Sequence, residues 1–180
     1  MEINICLWIV IIIVSLILLY YNKLIRLSNH VKQTESGIDI VLNQRFDLIP
    51  NIVECVKGYS EYESQTFENV VLARNSYRDS KKLDLSQAEA VNREFNKILA
   101  LAENYPELKS NAQYLNLQNQ LNIIENKLQI KRDEYNNAVT KYNTTIETIP
   151  SNIVARMFNF ESAELFKLDE NKRKDIKIDV

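Results

Sequence analysis

Few residues in this sequence have side chains that could carry out chemistry. There is one histidine, His30, and there are two cysteines, Cys6 and Cys55. Di-iron carboxylate bundles use a Glu-x-x-His motif on each of two helices, but the residue three positions before His30 is Leu27. A cysteine nucleophile needs a base beside it, and no histidine lies near Cys55 in the sequence, so we interpret Cys55 as a small buried side chain. The sequence therefore predicts no catalytic residue, no metal site and no cofactor.

A second group of residues is charged and lies close to the predicted core. Arg45, Glu63 and Arg74 lie on or beside the apolar stripe of a predicted helix, and Asp47 follows Arg45 closely. Unpaired buried charges are costly, so these side chains must form pairs or extend to solvent. Two interpretations stay open. The group forms salt bridges or hydrogen bonds that fix the register between helices, or it forms a polar surface that binds a partner protein.

The composition excludes several classes of protein. Only two of the 180 residues are Gly and three are Pro, too few for the many turns of a β-sandwich or for a Gly-rich phosphate loop. The 22 Lys and Arg residues are balanced by 24 Asp and Glu residues, which gives a formal charge of −2. Because a nucleic-acid-binding protein normally has a basic surface, we expect an α-helical chain that binds no nucleic acid.

The N-terminal segment is apolar. Residues 3–21 include no charged residue, and their number fits the ~20 residues that a helix needs to cross a bilayer. A cleaved secretory signal would have a basic start and a small-residue cleavage site, whereas this segment follows Glu2 and has neither feature. We therefore predict one transmembrane helix, with residues 3–21 in contact with the lipid bilayer.

The basic residues that flank this segment all follow it. They are Lys23, Arg26 and Lys32. The positive-inside rule then predicts a single-pass protein of the plasma membrane, with the N-terminus outside the cell and the C-terminal domain in the cytoplasm.

The rest of the chain has the periodicity of amphipathic helices. Between Val31 and Tyr77, apolar residues recur mostly every three, four or seven positions. Pro50 interrupts this stripe, and we expect a kink or break near Ile49 because proline removes one helical hydrogen bond. Gly58 either permits a close contact with another helix or forms a hinge together with Pro50.

Two further helices are predicted after a turn at residues 79–82. The first begins near Ser86, where Ser86 and Glu89 would form a capping box. It ends before Pro106, a further kink position that suits the first turn of a helix. The last long helix has an apolar repeat close to a heptad and ends at Pro150, and a short apolar element follows it. The repeat consists of Leu117, Leu121, Ile124, Leu128, Tyr135, Ala138, Tyr142 and Ile149.

Together these patterns predict an all-α protein. An N-terminal transmembrane helix would be followed by an elongated, antiparallel, up-and-down helical bundle of three to four helices. The predicted division is a membrane anchor over residues 1–22, a helical-bundle domain over residues 23–166 and a charged, disordered tail over residues 167–180.

Several segments resemble the LemA family. The most specific are residues 45–53 (RFDLIPNIV) and residues 102–109 (AENYPELK), and the resemblance runs in order from about residue 20 to about residue 160. Further matching residues are Tyr21-Asn22, Leu24, Ile38-Asp39, Leu42, Val56 to Tyr59, Glu63, Ala73-Arg74, Leu117-Gln118, Leu121, Glu125-Asn126, Arg132, Tyr135-Asn136, Val139, Tyr142-Asn143 and Ile149-Pro150.

The resemblance implies a bacterial single-pass membrane protein with a bundle of about four helices and no established enzymatic activity. We therefore hypothesise a non-enzymatic, membrane-anchored scaffold or adaptor that contacts an unknown protein partner or further copies of itself. The alternative is a regulatory subunit of a membrane enzyme or transporter, with Arg45, Asp47 and Glu63 as its contacts.

Overall fold

The computed structural model describes residues 2–59, 64–80 and 83–166, with side chains from residue 7 onward. These ranges contain α-helices and no strand, as the periodicity predicts. Three predicted features lie outside the described residues. They are Glu63, the end of the predicted turn (Lys81 and Lys82) and the predicted tail (167–180). The helices are α1 (Glu2–Phe46), α2 (Ile49–Lys57), α3 (Ser64–Asp79), α4 (Leu85–Ala102), α5 (Pro106–Lys109), α6 (Ala112–Glu147) and α7 (Ser151–Met157).

The predicted break near Ile49 is present. Helix α1 ends at Phe46 and α2 begins at Ile49, so that Pro50 lies in the first turn of α2. At this position the N–H that proline lacks has no partner within the helix, so proline is tolerated there. The apolar stripe is buried throughout, in Val31, Ile38, Leu42, Phe46, Ile49, Val53, Val56, Phe67, Val70 and Tyr77.

Gly58 is the C-cap of α2 rather than a residue in the middle of a helix. It is exposed, and the nearest described atom that a Cβ there would meet is the Cys55 carbonyl oxygen, 3.6 Å away. Among the described residues, no atom of another helix lies within 4 Å of that Cβ position, so they do not support the interpretation as a close helix contact. The hinge interpretation stays a prediction.

The predicted capping box at Ser86 is wrong. Asp84 is the N-cap of α4, and its Oδ1 accepts a hydrogen bond of 3.0 Å from the backbone N–H of Gln87. A carboxylate at the N-cap satisfies one of the free N–H groups of the first turn, so the helix starts at Leu85, one residue before the predicted cap. Pro106 is the first residue of α5, as predicted.

The apolar repeat of α6 is buried or half-buried except at its end. Leu117, Leu121 and Leu128 are buried, whereas Ile149 is 82% exposed. Ile149 lies beyond the last residue of α6, Glu147, so its side chain no longer follows the helical stripe.

The chain divides into two compact units, and both α1 and α6 contribute to each. One unit consists of residues 34–131, and within it α3 packs against α4 while α2 contacts both. The other consists of residues 1–33 together with residues 132–180.

The unit formed by residues 1–33 and 132–180 has two small apolar clusters. In one, Val31 of α1 packs with Ala138, Val139 and Tyr142 of α6. In the other, Leu24 of α1 packs with Val154 and Ala155 of α7.

Candidate functional site

Arg45 lies one residue before the end of α1 and points into the unit formed by residues 34–131. Its Nη1 atom is 3.1 Å from Oε2 of Glu125 on α6 and donates a 3.0 Å hydrogen bond to Oδ1 of Asn92 on α4. The guanidinium also lies 5.9 Å from the centre of the Phe95 ring, within the range of a cation–π interaction. One side chain therefore connects α1 with both α4 and α6.

The electrostatic environment of Arg45 is that of a partly buried cation. Its side chain is 15% exposed, and burial lowers the pKa of the guanidinium, an effect that the nearby Glu125 carboxylate opposes. An arginine stays charged across the physiological range even so, because the ordinary pKa of a guanidinium lies far above that range. Arg45 is thus a permanent positive charge that Glu125 and Asn92 partly compensate.

Arg74 on α3 binds the C-terminal end of α1. Its Nε atom donates a 2.9 Å hydrogen bond to the Phe46 carbonyl, and its Nη2 atom donates one of 2.8 Å to Oδ1 of Asp47. The last carbonyls of a helix lack partners within it and carry partial negative charge, so a cation at this position is favourable. Asp47 is 68% exposed, which leaves most of its carboxylate accessible from solvent.

A further polar contact between α1 and α3 lies two helical turns before the end of α1. The hydroxyl of Tyr77 donates a 2.6 Å hydrogen bond to Oδ1 of Asp39, which also accepts one of 3.2 Å from Asn43. Burial, and then the bond to Asp39, raises the pKa of Tyr77 well above its ordinary value. The Tyr77 ring also meets Phe46 edge to face, with ring centres 5.1 Å apart.

The predicted site residues therefore do not form one cluster. Arg74 contacts Asp47, whereas Arg45 is bonded to residues of α4 and α6. Glu63, the fourth residue of the predicted group, lies outside the described residues. The sequence predicted that Arg45 and Arg74 need partners, but their contacts with Asn92 and with the Phe46 carbonyl depend on the packing of distant segments.

Cys55 is a free cysteine on α2 and is half-buried. Burial, and then the neighbouring Glu54 carboxylate, raises the pKa of its thiol. A raised pKa decreases the thiolate fraction, and the thiolate is the nucleophilic form. Within residues 2–59, 64–80 and 83–166, no group of three or more His, Cys, Asp or Glu side chains could hold a metal ion.

A second polar arrangement lies in the unit that contains the end of α6. Two Tyr-Asn pairs, Tyr135-Asn136 and Tyr142-Asn143, bind the main chain of residues 161–166, which we call the strap. The Asn143 side chain donates a 2.8 Å hydrogen bond to the Ala163 carbonyl and accepts one of 3.0 Å from the Ala163 N–H. The Asn136 side chain makes the same pair of bonds with Phe166, at 3.1 and 2.8 Å.

The tyrosines of the two pairs repeat this pattern. Tyr142 donates a 2.9 Å hydrogen bond to the Glu161 carbonyl, and Tyr135 donates one of 2.9 Å to the Glu164 carbonyl. Seven residues of α-helix span about 10.5 Å, and three residues of extended chain span about 10 Å. The heptad spacing of the Tyr-Asn pairs therefore matches a step of three residues along the strap.

The hydrogen bonds of this arrangement all go to the backbone of the strap, and the Ala163 side chain packs against the cluster around Val31. Four side chains of the strap are exposed, those of Glu161, Ser162, Glu164 and Leu165. The Phe166 ring is different, because its centre lies 4.8 Å from the Arg132 guanidinium. The apolar periodicity and the charge pattern of the sequence did not predict this contact. The signal that could have found it is the dipeptide Tyr-Asn repeated at an interval of seven on one helix, because one Asn side chain can pair with both the backbone N–H and the C=O of one residue.

The N-terminal half of α1 has the character of a membrane span. In the part of the chain that the structure describes, α1 is the one helix long and apolar enough to cross a membrane. Its apolar side chains are exposed on every side of the helix: Leu7 is 58% exposed, Trp8 64%, Ile13 51% and Leu19 64%. Such a surface is unfavourable in water and suits a hydrocarbon environment.

Comparison with known proteins identifies the family of this chain. The model of the LemA family matches residues 34–180, which is most of the chain. The chain belongs to the LemA family. The matched region begins after the apolar part of α1 and includes the Arg45 and Arg74 contacts as well as both Tyr-Asn pairs.

Individual relatives of this LemA-family chain are distant in sequence. Protein LemA of Metamycoplasma hominis is 23% identical over 161 residues, which cover 86% of this chain and 72% of that protein. Magnetosome proteins MamQ 1 and MamQ 2 of Paramagnetospirillum magneticum are each 20% identical over 182 aligned positions, covering 86% of this chain and 67% of theirs. Family membership and the apolar helix together indicate a membrane-associated protein.

Proposed function

We propose that this LemA-family protein is a non-enzymatic scaffold or adaptor that α1 anchors in the plasma membrane. The observation that carries the proposal is the exposure of apolar side chains around the whole circumference of α1 from Leu7 to Leu16. In lipid these side chains need no protein partner, and the helix satisfies its own backbone hydrogen bonds. The helical units that follow would then be held at the membrane surface.

The orientation follows from Lys23, Arg26 and Lys32, which lie after the span. We propose that the N-terminus is outside the cell and that the domain after the span is cytoplasmic. In this arrangement residues 1–22 form the anchor, residues 23–166 the functional domain and residues 167–180 a tail.

Cysteine labelling tests the anchor and its orientation. In a chain with Cys6→Ala and Cys55→Ala, a cysteine is introduced by Glu2→Cys or by Asn119→Cys, the latter at an exposed position of α6. A membrane-impermeant maleimide should label the first variant in intact cells and the second only after permeabilisation. The opposite pattern would overturn the orientation, and extraction of the protein by alkaline carbonate would overturn the anchor.

The scaffold role requires association with protein. Arg45 and Arg74 are engaged within the chain, whereas Asp47 presents most of its carboxylate to solvent, which supports a polar contact surface at the end of α1. Crosslinking in intact cells should give homo-oligomers or adducts with a membrane protein. Exclusive recovery of monomers, with no membrane protein that co-purifies, would contradict the proposal.

The alternative role, regulation of a membrane enzyme or transporter, makes a different prediction for Asp47→Ala. A regulatory contact would be lost while the fold stays intact, and the activity of the partner enzyme or transporter would change. A scaffold that associates through another surface would keep its crosslinks in this variant.

A further inference from the structure

Helix α7 carries apolar side chains on two opposite faces. Val154 and Ala155 are buried against Leu24 of α1. On the opposite side, Ile153 is 64% exposed and Met157 is 60% exposed, four residues apart on one stripe. A short helix on the surface of a water-soluble protein normally has a polar outer face, so this stripe favours an apolar environment.

Two further exposed apolar residues flank α7 in the sequence. Ile149, four residues before Ile153, is 82% exposed, and Phe158, directly after the helix, is 45% exposed. The patch therefore consists of Ile149, Ile153, Met157 and Phe158, and we call it the α7 patch.

The packing of α7 places this patch beside the end of the predicted span. The Phe158 ring is centred 4.7 Å from the ring of Tyr21, the last residue of the apolar segment. Leu24 and Val154 belong to one apolar cluster, and Ile17 and Tyr20 pack against that cluster. The patch thus lies at the level of the last turn of the apolar segment, where tyrosines typically mark the boundary between hydrocarbon and headgroups.

The charges around the patch also suit a lipid surface. Residues 149–160 contain no acidic residue, and their one basic residue, Arg156, is exposed at the end of α7. The exposed Glu147 and Glu161 lie just outside this range. Lys23 and Arg26 are exposed on α1 next to Leu24. Basic residues beside an apolar face are typical of segments that lie in the interface of membranes containing anionic lipids.

We propose that the α7 patch is a second membrane contact, inserted at the boundary between headgroups and acyl chains in the leaflet where the span ends. Phe158 of the patch contacts Tyr21 at the end of the apolar segment, which is why we assign the patch to lipid rather than to another protein. This inference rests on the proposed function, because it requires the span to lie in a bilayer.

Fluorescence of single-tryptophan variants tests the contact. The full chain is reconstituted in vesicles of phosphatidylcholine and phosphatidylglycerol, with Trp8→Phe combined with Ile153→Trp. Acyl chains brominated near the headgroup quench tryptophan on contact. We expect the emission of this variant to shift to shorter wavelength and to be quenched severalfold, and Met157→Trp in the same background should behave alike.

The matched control is Leu165→Trp in the Trp8→Phe background. Leu165 is 48% exposed and lies in the same unit. The strap that contains it packs near Val31. Val31 follows Tyr21 by ten residues, so it lies about 15 Å further along α1 than the end of the apolar segment. Its emission should resemble that of tryptophan in water, without quenching.

The outcomes separate the two proposals. If Trp8 of the unmodified chain is quenched but the Ile153→Trp and Met157→Trp variants are not, the anchor holds and the second contact is refuted. A blue-shifted but unquenched signal at both positions would show that protein, such as a second copy, covers the patch, and would also refute it. If Trp8 itself is not quenched, the proposed anchor fails and the second contact fails with it.

Discussion

The Nη1 atom of Arg45 lies 3.1 Å from Oε2 of Glu125, which connects the end of α1 to the middle of α6. The same atom bonds Asn92, and the guanidinium approaches Phe95. These contacts hold α1, α4 and α6 in one relative register, so we propose that fixing the register is the role of Arg45.

The variant Arg45→Met tests this role by keeping length and apolar volume while removing the charge. We expect the free energy of unfolding to fall by about 2 kcal/mol, because a charged hydrogen bond and a partly buried ion pair are lost together. Urea denaturation of the full chain in detergent measures the change. The control Lys97→Met removes the pair with Glu94, in which Lys97 is 55% exposed, and should cost less than about 0.5 kcal/mol. Equal effects of the two substitutions would contradict the proposed role.

Arg74→Gln should also destabilise the fold, by about 1–2 kcal/mol, because the Phe46 carbonyl and Asp47 lose a charged donor. Arg78→Gln, at an exposed position of the same helix, provides the comparison. Thermal unfolding followed by circular dichroism measures both variants. If Arg78→Gln lowers the melting temperature as much as Arg74→Gln does, the contact with the end of α1 does not explain the loss.

Asn143→Leu should release the strap locally without unfolding the helices. Both hydrogen bonds to Ala163 disappear, and amide exchange at Ala163 should accelerate about tenfold or more, since each 1.4 kcal/mol corresponds to a factor of ten. Hydrogen exchange detected by mass spectrometry measures this. Asn137→Leu changes an exposed asparagine of the same helix and should leave the exchange of Ala163 unaltered. Unchanged exchange in Asn143→Leu would show that the strap is held by other contacts.

The raised pKa of Tyr77 predicts a loss of stability at alkaline pH. The unfolded chain ionises this tyrosine above pH ~10, whereas burial and the bond to Asp39 keep it neutral in the folded chain. The corresponding stability is present below pH ~10 and is lost as the pH rises further. Tyr77→Phe should be less stable than the unmodified chain at pH 8 and should lose less stability between pH 8 and pH 11. Parallel pH profiles would contradict this account.

Gly58→Ala should stabilise the fold by about 0.5 kcal/mol, because the glycine has a right-handed helical backbone and a Cβ would lie 3.6 Å from the Cys55 carbonyl oxygen. Gly37→Ala is the matched control, since its Cβ would lie 3.4 Å from the flexible Lys131 side chain. Both variants should have higher melting temperatures. If Gly58 acts as a hinge, Gly58→Ala should in addition reduce crosslinking to partners while Gly37→Ala does not.

Local features of the sequence predicted much of the fold. Pro50 and Pro106 mark helix starts because proline suits only the first turn, and the apolar stripe from Val31 to Tyr77 is buried because its spacing matches the helical repeat. The start of α4 was predicted imprecisely, because Asp84 and Ser86 are both residue types that cap helices and only the observed backbone distinguishes them.

The polar contacts were harder to predict because their partners are far away in sequence. Arg45 was recognised as a charge that needs a partner, but nothing near it in the chain indicates Asn92 or Glu125. Likewise Asn143 donates a hydrogen bond to the Ala163 carbonyl, twenty residues later. Every residue has a backbone carbonyl, so the sequence does not indicate which one accepts the bond. The exposure of Ile149 also depends on where α6 ends and not on the repeat.

The strap has a consequence for how this region can change during evolution. Since Asn136, Asn143 and their tyrosines bind peptide groups, the residue types at Glu161 and Glu164 can be exchanged freely. Inserting or deleting one residue between the two Tyr-Asn pairs, or between Ala163 and Phe166, would instead put the bonds of one pair out of register when those of the other pair are formed. Chain length here should therefore be far less tolerant of variation than sequence.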